Sequence, residues 1–264
     1  MKTTKILSFM AIALFLCFIQ EEAIAGVPVK STTVKKVFKR NNTTCEIIVD
    51  RPVCSNAALR ASIERVLLGY IKDNSADYNV SIPTAKNRSF STIIQIMGNS
   101  ILKKLIADYD KDNDPFDRGQ FYNIEIKLVA DTKEYVSYSI NEQLFTGGEH
   151  GMYHTRHVTI RKSDGIPLTN ILQREKESQM QPLLKKVAAE QGDLEEYLKY
   201  LKHLNREDIP LPEEDAWLQP DGVHIQYQPY EICTWAMGMP EFVIPAKDAQ
   251  PFISKEASLL LKSR

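Results

Sequence analysis

Gly147-Gly148-Glu149-His150-Gly151, followed by His154 and His157, is the stretch of this 264-residue chain richest in groups that can do chemistry. Three histidines in eight positions raise a metal reading, because neutral imidazole is a common zinc ligand. The spacing argues against it. On a strand His150 and His154 share a face while His157 points away. On a helix all three converge, but the three glycines disfavour a helix. No metal is therefore expected. The glycines are expected to allow positive φ or close backbone approach, with His150 hydrogen-bonded inside the turn.

Other candidate groups are scattered. The run Asp108, Asp110, Asp112, Asp114 and Asp117 resembles the start of a calcium loop. Counted from Asp110, position six is Pro115 rather than glycine and position twelve is Phe121 rather than glutamate. A solvated acidic loop is the expectation. No Gly-x-Ser-x-Gly elbow, H-E-x-x-H helix or phosphate-binding Gly-Lys-Ser/Thr loop occurs, so no catalytic residue and no cofactor is assigned. Glu149 and Glu231 could pair for glycoside chemistry, with His150 as a partner, but spacing alone does not bring them together. An envelope hydrolase using His150 with Glu149 or Glu231 is the alternative function. Cys233 could act as a nucleophile, yet apolar Ile232, Trp235 and Met237 around it favour a buried, inert thiol. Tyr227 falls on the apolar side of its strand and is expected in the core. Tyr230 and Trp235 lie beyond the strand end and are the better candidates for a binding surface.

These residues belong to a chain that carries an export signal. Lys2 and Lys5 precede an apolar stretch from Ile6 to Ile19, and Ala23-Ile24-Ala25 gives a small-x-small cleavage pattern. The apolar stretch is shorter than the roughly 20 residues of a spanning helix. A lipoprotein reading through Cys17 fails because Leu16, not a small residue, precedes it. Residues 1–25 are thus expected to be a cleaved leader, placing the protein in the periplasm or outside the cell. No stable membrane insertion is expected. The formal net charge is −1, from 33 Lys and Arg against 34 Asp and Glu, which speaks against a nucleic-acid partner. Past the leader stand Cys45, Cys54 and Cys233. In an oxidising compartment one pair and one leftover is the natural count. Asp50-Arg51-Pro52 is expected to turn the chain between Cys45 and Cys54, giving a disulfide contributing about 2–3 kcal/mol.

The elements that must position all this alternate in type. Val34 to Arg40 and Glu46 to Val49 read as strands. Ser55 or Asn56 caps a helix bearing Leu59, Ile63, Val66, Leu67, Tyr70 and Ile71, and a second helix runs from about Ser91 to Tyr109. Gly98 and Asn99 fit that second helix poorly. Tyr122 to Leu128, Val136 to Ile140 and Met152 to Arg161 then alternate as strands of an antiparallel meander. Helices follow at Lys176–Ala189 and Asp193–His203, the latter opening on an Asp193/Glu196 capping pattern. Strands at Val223–Gln228 and Glu241–Ile244 and a helix near Ala249–Lys262 close the chain. The class expected is α+β: an antiparallel meander with helices packed on one side, in two associated modules over 26–118 and 119–264.

Three segments carry a family likeness. They are "YSINEQLFTGGEHG" (Tyr138–Gly151), "RKSDGIPLTNIL" (Arg161–Leu172) and "LQPDGVHIQYQPYEICTWAMGMPEFVIP" (Leu218–Pro245). Together they resemble the domain of unknown function shared by the lysozyme-binding anti-sigma factor RsiV and the PdaC-type cell-wall deacetylases, over roughly residues 120–250. Val34 to about Asp114 resembles, more faintly, the module that precedes it there. Cys233-Thr234-Trp235 departs from the family's more frequent Ala-Pro-Tyr. The resemblance implies an extracytoplasmic α+β binding or sensing module. Its partner would be a wall component such as a peptidoglycan fragment, or a lysozyme-like protein, met through Gly147, Gly148, His150, Tyr230 and Trp235.

Overall fold

The computed structural model describes residues 26–74, 88–107 and 119–262. The leader and the acidic run Asp108–Asp117 lie outside the described residues. β1 (Lys30–Arg40) and β2 (Thr43–Val53) form an antiparallel hairpin turned at Asn41, whose φ is 53°. Asn56 caps α1 (Ala57–Asn74), its side-chain oxygen accepting from the Leu59 amide at 2.9 Å. α2 spans Phe90–Ala107 and contains Gly98 for a packing reason: a Cβ there would sit 2.1 Å from the Phe38 ring of β1. The glycine lets strand and helix approach closely.

β3 (Gln120–Asp131) pairs with β2 in parallel, from Thr43↔Gln120 to Val49↔Ile126. Parallel neighbours need a long crossover, and the segment holding α1 and α2 supplies it. β4 (Tyr135–Phe145) and β5 (Met152–Arg161) then add antiparallel, giving the order β1-β2-β3-β4-β5. The alternating strands place Ile47, Val49, Ile124, Ile126 and Ile140 on one face, where they meet Ile63, Leu67, Ile94 and Met97 of the two helices. The opposite face is polar.

A second core is built from residues of the C-terminal half. α3 (Glu177–Gln191), α4 (Leu194–His203), α5 (Ala246–Ala249) and α6 (Lys255–Lys262) surround a three-stranded antiparallel sheet. Its strands are β6 (Trp217–Gln219), β7 (Gly222–Gln226) and β8 (Glu241–Pro245). Asp193 caps α4 as its sequence predicts, accepting from the Glu196 amide at 3.1 Å. This small sheet lies across the polar face at β4 and β5. Ser137 Oγ donates to the Leu218 carbonyl at 2.6 Å, and the Leu218 amide donates to Thr159 Oγ1 at 2.9 Å. The architecture is therefore mixed α+β, with a five-stranded and a three-stranded sheet.

The expected Cys45–Cys54 disulfide is not formed: Cys45, Cys54 and Cys233 are all buried and free. Asp50-Arg51-Pro52 does not turn the chain but continues β2 straight to Val53. Eight strand residues lie between them, so nine steps of about 3.3 Å set the two α-carbons about 30 Å apart, whereas a disulfide needs less than about 7 Å. Burial pushes the Cys45 thiol up to about 12.

Candidate binding surface

The β4–β5 hairpin loop runs through Gly147 and Gly148 at φ 111° and 91°, a left-handed path that side chains rarely adopt. This path delivers His150 to the surface, its Nδ1 3.0 Å from the Gly151 carbonyl. Across from it stands the segment joining β7 to β8. Trp235 opens a single 3-10 turn there, and the His150 imidazole stacks on its indole with centroids 4.6 Å apart. Tyr153, on β5, lies tilted against the same indole at 5.4 Å and donates its hydroxyl to the Trp235 carbonyl at 3.2 Å. Tyr230 is 48% exposed and sits at φ 70°, its carbonyl accepting from the Tyr200 hydroxyl at 3.2 Å. Exposed Met152 and Met237 belong to the same two segments.

Polar clamps hold this segment against β5. Both Glu231 carboxylate oxygens accept backbone N–H groups, from Glu213 and from Gln228, each at 2.5 Å. The Gln228 side chain in turn accepts from the Thr155 amide at 3.0 Å and donates to the Thr155 carbonyl at 2.7 Å. Burial raises the Glu231 pKa against the pull of those amides. Burial also raises the Cys233 thiol, whose sulfur lies 3.7 Å from the Gly238 carbonyl. Glu231 is thus a structural acceptor and Cys233 a protonated core group. Glu149 is exposed on the loop.

The three histidines diverge. His154 points to the helix side of the sheet and pairs with Glu214 at 3.1 Å, as does Arg156. Burial opposes the Glu214 charge, but these two partners outweigh it and hold its pKa below the ordinary value. His157 lies on the other face, flat on Trp217 with centroids 3.4 Å apart. Trp217 in turn meets His224, tilted at 5.2 Å. Among the described residues no group of three or more His, Cys, Asp and Glu side chains could hold a metal ion.

The His157–Trp217–His224 pile responds to pH. Burial first, and His224 second, push the His157 imidazole down to about 3. Burial opposes a charge on His224, but hydrogen bonds to Glu241 at 2.9 Å and Asp221 at 2.8 Å outweigh it and raise its pKa. A depressed histidine leaves the unfolded chain binding more protons below about pH 6.5, so stability falls as pH drops from there toward 3. A raised one contributes stability that is complete below about pH 6.5 and lost on going above its folded value. His157→Phe keeps a ring on Trp217 and removes the first effect. Urea unfolding at pH 6.5 and 4.5 should show the wild type losing about 1–2 kcal/mol more than the variant between those values, discounted for partial exposure of His157. Equal losses in both proteins would refute this role for His157.

The sequence singled out His150, Tyr230 and Trp235 separately, and the structure stacks His150 directly on Trp235. Tyr153 was missed. Its signal was available: it occupies the same alternating set of β5 positions as Thr155 and His157, on the polar side of the sheet. That side is also where Asn123, Asn141 and Gln143 stand in register across β3 and β4.

No helix among the described residues is long and apolar enough to cross a membrane. No curated protein is similar enough to this chain to match it. Its fold is shared by solved structures, two of which are described by family. A member of the DUF3298 family from Bacteroides fragilis superposes with a TM-score of 0.67 at 19% identity, covering 91% of this chain and 99% of that one. A DUF3298 family protein from Pseudomonas aeruginosa gives a TM-score of 0.59 at 13% identity, covering 88% and 96%. Residues 167–247, which contain β6 to β8 and the Trp235 turn, match the family model described as a protein of unknown function, DUF3298.

Proposed function

We propose that this chain is an exported envelope protein that works as a binding or sensing module, with His150, Tyr153, Tyr230 and Trp235 as its contact surface. The observation that carries the reading is the stacking of His150 on Trp235, with Tyr153 against the same indole. Rigid aromatic side chains at a surface are the usual energetic anchors of recognition. Export rests on the basic, apolar and small-x-small order of residues 1–25. The partner class, a peptidoglycan fragment or a lysozyme-like protein, follows from the likeness to the RsiV and PdaC-type domains. Binding is favoured over hydrolysis because both Glu231 oxygens are occupied by backbone amides.

Retention of residues 26–264 on purified peptidoglycan and on immobilised lysozyme tests the proposal. Trp235→Ala and Tyr230→Ala should each weaken retention by about 1–3 kcal/mol, roughly 5- to 150-fold, with melting unchanged. Failure of the wild type to be retained on either matrix, or retention indifferent to both substitutions, would overturn it.

A further inference from the structure

The aromatic surface is continuous with a second feature, the half of the polar sheet face that β6 and β7 leave open among the described residues. Strand register aligns Glu46, Asn123, Gln143 and Tyr153 in one row across β2 to β5. The next row on that face is Ile48, Glu125, Asn141 and Thr155. Three inter-strand spacings give each row a span of about 14 Å. Over the β2–β4 part lies an open hollow of about 220 Å³, lined by Glu46, Ile48, Asn123, Glu125, Asn141 and Gln143. Beyond the hollow the first row continues from Gln143 to Tyr153, whose ring lies against Trp235.

The chemistry of this floor is neutral and hydrogen-bonding. Each carboxylate already has a lysine beside it: Lys35 meets Glu46 at 2.6 Å, and Lys127 meets Glu125 at 2.9 Å. The tract therefore presents no net field to attract a charged polymer. Asn141 accepts a hydrogen bond from Thr155 Oγ1 at 2.8 Å, which leaves its two amide hydrogens as donors. Asn123 and Gln143 offer a donor and an acceptor each. Hydroxyl groups, which donate and accept at once, are the complement of such amides. An aromatic ring at the end of the row supplies the apolar surface against which the C–H face of a sugar can lie.

We propose that this groove binds a neutral, hydroxyl-rich glycan chain, laid along the Glu46–Asn123–Gln143–Tyr153 row and ending against Trp235. The proposal rests on the binding reading above and names its ligand class. Calorimetric titration of residues 26–264 with the tetramer of N-acetylglucosamine, and with cellotetraose as a glycan lacking acetamides, tests it. Saturable binding of at least one is expected. The double variant Asn123→Ala, Gln143→Ala should weaken it at least tenfold at unchanged melting temperature. Gln143→Ala alone, at an exposed position, should cost about threefold and guards against misfolding of the double variant.

Failures of the two readings separate cleanly. Binding lost in Trp235→Ala but untouched by the Asn123 and Gln143 substitutions would overturn the groove and leave the aromatic surface standing. A wild type that binds neither tetramer, yet is held on lysozyme through Trp235, would overturn the glycan and leave the binding reading intact. A wild type retained by nothing would overturn both.

Discussion

Replacing Lys162 with methionine should cost about 3 kcal/mol of folding stability and loosen the segment from Gly26 to Val29. Lys162 is 1% exposed, and its ammonium is fully engaged. It donates to the Val27 carbonyl at 2.7 Å and to the Thr132 carbonyl, and pairs with Asp131 at 2.6 Å. Asp131 also accepts from the Val29 amide at 3.2 Å, while the Gly26 amide donates to the Lys133 carbonyl at 2.7 Å. One buried lysine thus binds the β3–β4 turn, the end of β5 and the segment before β1. Methionine matches the stem but leaves two carbonyls and a carboxylate without their cation. Breaking a buried pair from one side costs about 3–5 kcal/mol, and partial solvent access to Asp131 favours the lower end. Urea unfolding at constant m-value measures the loss, and amide exchange at Val29 reports the loosening. A loss under 1 kcal/mol would show that the clamp contributes little.

Trp217→Ala should cost about 3–5 kcal/mol, the range for deleting a fully buried aromatic. The indole is among the largest fully buried side chains and lies between His157 of the large sheet and His224 of the small one. Removing it opens a cavity where the two sheets meet, so both cores should feel the change. The expected signature is a lower unfolding midpoint with a single transition, followed by circular dichroism and by the fluorescence of Trp235. Two separated transitions would mean that the remaining contacts, such as Ser137 with Leu218, do not hold the two sheets in one cooperative unit. A loss under 1 kcal/mol would mean that the site collapses around the missing ring.

Local pattern reached far into this fold. The helical stripe of Leu59, Ile63, Leu67 and Ile71 is buried as its spacing requires. The Asp193 cap forms, the Gly147-Gly148 turn takes positive φ, and the alternation of Tyr122 to Leu128 assigns the helix-facing side of β3. These features depend on neighbours within a turn or a strand, so nearby residue types suffice to specify them. His150 and Trp235 were legible for the same reason, as a glycine-bounded imidazole and an aromatic beyond a strand end.

Long-range contact decided the rest. Ser137 and Ser139 alternate with apolar residues as though facing water, yet both are buried, because β6 and β7 cover that part of the sheet. Asp50-Arg51-Pro52 has the composition of a turn but continues as strand, paired with β1 from Ser31↔Pro52 to Thr33↔Asp50. The parallel placement of β3 beside β2 leaves no mark on either strand's periodicity. The contact of His150 with Trp235 joins the β4–β5 loop to the β7–β8 connection, and the polar row from Glu46 to Tyr153 exists only once four strands are in register. Residue types and their period determine which faces are apolar and where the chain caps or turns. Which face meets which is a property of the packed whole, because burial and hydrogen bonding across the sheets outweigh the weak local preference of a few residues.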